Sequence, residues 1–99
     1  MNADFTITYE ESGSKGRYTV TASGIEGEGE LTFSRVSDVL IIADHTVVPD
    51  SMRGLGAARA LVERLIADSR EKGQRIVPLC PYVRAQAQKH PEWNDVIQR

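Results

Sequence analysis

Ninety-nine residues contain a single cysteine, Cys80, and two histidines. One thiol excludes an internal disulfide and any Cys-rich zinc site. Long apolar runs are missing as well. The longest strongly apolar stretch, Val39–Ala43, falls far short of the roughly 20 residues that span a bilayer. The opening Met1-Asn-Ala-Asp4 has neither the basic start nor the apolar centre of a secretory leader. Charge of one sign is scarce: 12 Lys and Arg are interspersed with 14 Asp and Glu, for a net charge of −2. With no basic stripe to neutralise a row of phosphates, nucleic acid is not an expected partner. These absences describe a cytoplasmic protein that binds neither membrane nor nucleic acid. What is present, 40% hydrophobic and 26% charged residues, is too apolar for disorder. The length suits one domain, residues 1–99, with a thin core made by one sheet under one or two helices.

The first half reads as strands. Phe5, Ile7 and Tyr9 alternate with polar residues, and so do Tyr18, Val20 and Ala22, with a turn at Glu11–Gly16 between them. Gly24–Gly29 reads as a connection, Leu31 and Phe33 as a third strand, and Ser37-Asp38 as the turn that follows. Val39–Ala43 is apolar at every position, the pattern of a strand covered on both faces, and continues to Val48 before Pro49. From Gly56 the period lengthens: Leu61, Val62, Leu65 and Ile66 recur at helical spacing, and Gly73 is placed to cap the helix. Arg75–Cys80 reads as a short strand. Pro81 suits the start of a last helix through Lys89. The fold class is therefore α/β (α+β): about five strands, mostly antiparallel, with one long and one short helix.

Between the apolar strand and the long helix lies Pro49-Asp-Ser-Met-Arg-Gly-Leu-Gly-Ala-Ala58. Glycines there leave backbone amides unobstructed, and the first amides of a helix have no internal partner. With the helix dipole they make an anion site suited to a pyrophosphate. The loop lacks the Gly-Lys-Ser/Thr ending of a P-loop and the third glycine of a dinucleotide fingerprint. On the glycines alone, a plain strand-to-helix turn is an equal reading.

The hexapeptide Arg53-Gly54-Leu55-Gly56-Ala57-Ala58 resembles the Arg/Gln-x-x-Gly-x-Gly/Ala signature of the GNAT acetyltransferase superfamily. More narrowly, His45–Pro49, Arg53–Gly56, Ile76–Tyr82 and His90–Trp93 look like its small, single-domain YjdJ-type branch. The resemblance implies a minimal GNAT-like fold with a bulged strand before the signature. It implies an N-acetyltransferase using acetyl-coenzyme A, with the amides of Arg53, Gly54, Leu55, Gly56, Ala57 and Ala58 on the pyrophosphate. Backbone at Val47 and Val48 would pair with the pantetheine arm as an added strand does. The superfamily's helices after the first strand are missing here, so the acceptor site is expected to be open, shallow or completed by a partner protein. The acceptor would be a primary amine, on a small molecule or a protein lysine. The rival reading is a non-catalytic acyl-coenzyme A-binding module.

Two residues are candidates for chemistry. Cys80 precedes a helix start, where a thiol is biased toward thiolate, and could carry an acetyl group; a small buried hydrophobe is the competing reading. His45, on the central strand, is suited to take a proton from an ammonium, or else is a satisfied histidine at a strand end. Relatives often carry an acidic residue where this chain has Val47, and valine cannot act as a base, so activity that depends on that carboxylate would be weakened here or relocated to His45. Tyr82, His90 and Trp93 read as packing with a minor chance of touching adenine, and Arg64, Arg70, Lys72 and Arg75 as a solvated face.

Overall fold

The computed structural model describes residues 4–98. Strands β1 (Phe5–Ser12), β2 (Lys15–Ala22), β3 (Ile25–Ser37) and β4 (Leu40–Val47) form an antiparallel meander. Helix α1 (Ala57–Lys72) then crosses over to β5 (Arg75–Pro78), which lies parallel to β4, and α2 (Pro81–Lys89) follows. The strand order is β1-β2-β3-β4-β5. This is the mixed α/β architecture expected of the residue pattern.

Alternation along each strand sends Tyr18, Val20, Leu31, Phe33, Ile41, Ala43 and Ile76 to one face, where they are buried. Leu61, Val62, Leu65 and Ile66 of α1 and Val83 and Ala87 of α2 cover that face and complete one core. Tyr18, deep in it, donates a hydrogen bond of 2.8 Å to Asp68 of α1, which orients the helix on the sheet. Burial, reinforced by Asp68, raises the pKa of this phenol strongly, so it stays a donor. Gly73 caps α1 in the left-handed conformation, as its position predicts.

Four expectations need correction. The glycine- and glutamate-rich stretch at 24–29 is not a loop: Ser23-Gly24 makes the turn and residues 25–29 are the first half of β3. Glycine is required within that strand because the segment after β4 crosses it closely. A Cβ on Gly29 would lie 3.0 Å from Val48 Cγ2, and one on Gly27 3.2 Å from Pro49 Cγ and Ser51 Oγ. Val39, in turn, lies in the β3–β4 turn and is exposed, while Leu40 and Ile42 are only half-buried. Only one face of β4 carries helices, because β1 passes to β2 through the two residues Gly13-Ser14 and nothing returns to cover the other face. β5 ends at Pro78, two residues early, where the chain turns so that the Cys80 amide donates to the Ala43 carbonyl (2.8 Å).

The basic residues 64–75 are likewise not a merely solvated face. Arg70 holds Asp95 at 2.6 and 2.9 Å, and Arg75 donates to Gln98 and to the carbonyls of Asp95 and Ile97. Together they tie the C-terminal segment to α1 and β5, where Ile97 bridges Ile76. Lys72 Nζ sits 4.4 Å from the centre of the Tyr9 ring, and Arg64 pairs with Asp68.

Across β1 and β3, Arg35 forms a half-buried ion pair with Glu11 and also donates to Gln74 at 3.3 Å. The Arg35 hydrogen bond lowers the Glu11 pKa, against a smaller opposing effect of burial. A carboxylate whose folded-state pKa is depressed contributes stability above its unfolded pKa and loses it as pH falls through the folded value. Glu11→Gln should cost on the order of 1–2 kcal/mol at pH 7. It should also flatten the loss of stability below about pH 4.5. Urea unfolding at a series of pH values checks both, and a variant with an unchanged acid limb contradicts the assignment.

Candidate functional site

Pairing between β4 and β5 stops at Ala43↔Pro78, while β4 runs on to Val47 against β3. At the same point β4 bulges: Thr32 pairs with His45 and Phe33 with Ala43, leaving Asp44 extra. The bulge implied by the family resemblance is therefore present. Past it, the β4 edge facing β5 has no strand partner, and consecutive side chains resume their alternation between faces.

On the helix-covered side a cleft of about 400 Å³ opens, lined by Thr46, Val48, Met52, Arg53, Gly54, Gly56, Ala57, Ala58, Arg59 and Tyr82. Its floor is the start of α1. Gly54 and Gly56 have φ of 79° and 87°, where an L side chain is strained, and a Cβ on either would point into open space. The chain's own packing thus gives no steric reason for either glycine. Among the described residues, the amides of Gly54, Gly56, Ala57, Ala58 and Arg59 have no hydrogen-bond partner, and no side chain caps the helix. Five free donors and the positive end of a 16-residue helix converge on one cleft. Arg53 stands at its rim, paired with Asp50 at 2.7 Å. Leu55, assigned with this loop from sequence, and Val47, whose backbone was assigned to the pantetheine arm, have exposed side chains that do not line it.

Cys80 is the N-cap of α2 and is 2% exposed. Its sulfur lies 3.4 Å from the Thr46 hydroxyl, behind the cleft wall. Tyr82 packs against the core, as the sequence suggests, and also lines the cleft. Burial raises the pKa of its phenol, with Arg59 pulling the other way, so it holds its proton at neutral pH. His90 and Trp93 do stack on each other, at 4.2 Å and 13°. Thr46, Met52 and Arg59 also went unrecognised in the sequence. Arg59 could have been found by counting amides into the helix, since it is the third residue of α1.

His45 points the other way. It sits on the uncovered face, with Nδ1 3.1 Å from Thr32 Oγ1 and Nε2 3.9 Å from Glu30 Oε2. The two candidate catalytic residues are therefore on opposite faces of β4. Glu30 pairs directly with Val47 across the strands, so a carboxylate stands beside the position where the chain has valine. Around His45 lies a second cleft, of about 490 Å³, walled by Glu10, Lys15, Arg17, Thr32 and Asp44 among others. Arg17 bridges Glu10 and Glu30. Lys15 Nζ donates to Ser34 Oγ at 2.8 Å, and the Ser34 hydroxyl donates to Asp44 at 2.7 Å. Among the described residues no group of three His, Cys, Asp or Glu is arranged to hold a metal, and no helix is long and apolar enough to cross a membrane.

Comparison with known proteins bears on this arrangement. The NMR solution structure of a GCN5-like protein from Staphylococcus aureus superposes with a TM-score of 0.68 at 22% identity, covering 92% of this chain and 87% of that one. At that identity the likeness is one of fold. No protein of curated function matches the chain. A family model described as GCN5-related N-acetyl-transferase matches residues 17–96, a span that takes in most of β2, the bulged strand, the glycine turn and both helices. The match is to the family as a whole rather than to the YjdJ-type branch, and on it the chain belongs to the GCN5-related N-acetyltransferases.

Proposed function

We propose that the protein transfers the acetyl group of acetyl-coenzyme A to a primary amine. The observation that carries this reading is the convergence of five unpartnered amides at the start of α1 beside an unpaired strand edge. The amides of Gly54, Gly56, Ala57, Ala58 and Arg59 suit a pyrophosphate. The edge at Thr46–Val48 suits the amide-bearing pantetheine arm, which would add to β4 as a short strand. That path leads the thioester to the gap between β4 and β5, at the bulge.

The uncovered face is where the acceptor approaches in this reading. With Nδ1–H donating to Thr32, His45 keeps the lone pair of Nε2 and takes the proton of the incoming ammonium. Glu30, 3.9 Å away, stabilises the imidazolium that results. The freed amine lone pair bonds the acetyl carbonyl carbon. The C–S bond breaks, sulfur leaves with its electron pair, and the nitrogen gives up its second proton to solvent. Tyr82, neutral beside the cleft, is placed to give that sulfur a proton and to regain one from solvent. Direct transfer fits a Cys80 sulfur that is buried and on the opposite face of β4 from His45. The competing covalent route through Cys80 draws on its contact with Thr46 at the cleft wall.

Three outcomes test this account. Ala58→Glu puts a carboxylate in the first turn of α1, which suits the helix dipole by about 0.3–1 kcal/mol, so the fold should persist. Coenzyme A affinity, read by calorimetry, should nevertheless fall about tenfold or more, because the new charge faces the pyrophosphate. Unchanged affinity places the coenzyme elsewhere. His45→Gln should lower turnover by about 10²–10⁴-fold on any amine the wild type acetylates, with little change in coenzyme affinity. A panel of amines on which the wild type shows no transfer would make the protein a coenzyme-binding module. Intact mass after mixing with acetyl-coenzyme A should show no acetyl adduct, and Cys80→Ala should keep most of its turnover; an adduct absent from Cys80→Ala would establish the covalent route.

A further inference from the structure

The wall of the cleft on the uncovered face carries Glu10, Lys15, Arg17 and Asp44 among small and apolar residues. Arg17 is held between Glu10 and Glu30. One cation between two carboxylates leaves a negative charge in excess there, and two further charges line the cleft. Lys15 Nζ and the Asp44 carboxylate take part in no ion pair among the described residues, although both line the cleft. They are joined through one neutral group, the Ser34 hydroxyl, which accepts from Lys15 and donates to Asp44. The cation and the anion therefore stand no more than two hydrogen bonds apart, on strands fixed in register by β2–β3 and β3–β4 pairing. Asp44 is the bulged residue and His45 follows it, so the anionic end of this pair lies beside the proposed base and the β4–β5 gap.

We infer that this cleft takes a small acceptor carrying an ammonium and a carboxylate close together, an amino acid. This inference rests on the acetyl-transfer reading above. The ammonium meets Asp44 beside His45, and the carboxylate meets Lys15, each contact a charge-assisted hydrogen bond. A plain amine satisfies only Asp44 and leaves Lys15 unmatched. A bulky or polymeric acceptor gains nothing from two opposite charges set so near each other. Transfer joins the amino nitrogen to the acetyl carbon and releases free coenzyme A, with the displaced proton on His45, so the product is an N-acetyl amino acid. Lys15 is the first residue of β2, next to the two-residue turn between β1 and β2.

Alanine, alaninamide and ethylamine separate the contributions, since they share an amine and differ in the carboxylate. With acetyl-coenzyme A, kcat/KM should be about tenfold or more higher for alanine than for the other two. Lys15→Gln should bring that ratio close to one, and Lys15→Arg should restore part of it. A binding measurement runs beside the kinetics: in ¹H–¹⁵N spectra of the intact protein, alanine should shift the amides of Lys15, Ser34 and Asp44, and alaninamide should shift Asp44 with less effect on Lys15. Equal rates for alanine and alaninamide, or an equal loss for both in Lys15→Gln, overturns the amino-acid assignment while leaving acetyl transfer intact. Absence of alanine-induced shifts at Lys15 and Asp44 overturns it even if no amine is turned over. Failure of the acetyl-transfer reading itself shows separately, as no product from any amine in the panel.

Discussion

The separation of β4 from β5 is the constraint on which the other features depend. Two adjacent parallel strands ordinarily stay paired along their common length; here pairing ends at Ala43↔Pro78. Pro78 and Pro81 lack amide donors, and the one amide between them that reaches back, Cys80, is spent on the Ala43 carbonyl. Beyond that bond the chain enters α2, which packs Val83 and Ala87 into the core instead of continuing the strand. The bulge at Asp44 acts at the same level of the sheet, turning one more residue out of the ladder. An unpaired strand edge inside a fold is normally costly, because its amides and carbonyls go unsatisfied. This edge lies next to five further unpartnered amides at a helix start, and in the proposed reading an extended, anionic ligand satisfies both.

What surrounds the gap follows from how few residues the chain spends elsewhere. A two-residue turn between β1 and β2 leaves one sheet face without helices. The polar side chains of β1–β3 are satisfied there by cross-strand pairs: Thr8 with Thr19, Arg17 with Glu10 and Glu30, Ser34 with Asp44. The stability of the uncovered face is thus carried by short-range polar contacts, and that of the covered face by a continuous apolar core. In the proposed reading chemistry falls on the boundary between them, at β4, which lends Thr46 to one cleft and His45 to the other.

The order of elements and the course of α1 were legible in the sequence. Period two gave way to helical spacing at Ala57, and Leu61, Val62, Leu65 and Ile66 are buried as that spacing requires. The glycine turn was legible only as an even choice until its likeness to a family signature was weighed, since glycines serve plain turns equally well. Residues 25–29 misled, because glycine and glutamate are poor strand formers; the reason for Gly27 and Gly29 lies some 20 residues onward, in Pro49, Ser51 and Val48. Val39–Ala43 misled in the opposite sense, since an apolar residue does not reveal whether anything exists to cover it. Glu30 and Tyr82 were not legible as site residues. Each takes its place through a partner distant in sequence, Val47 and His45 for the first and the start of α1 for the second.

The central claim is that the start of α1 and the free edge of β4 together hold acetyl-coenzyme A. Titrating the ¹⁵N-labelled protein with acetyl-coenzyme A and following every backbone amide tests it most directly. The account predicts saturable shifts concentrated at Gly54, Gly56, Ala57, Ala58 and Arg59 and at Thr46 to Val48, with the β1–β2 turn little changed. A spectrum that does not move, or one that moves chiefly at residues outside these two segments, would contradict it.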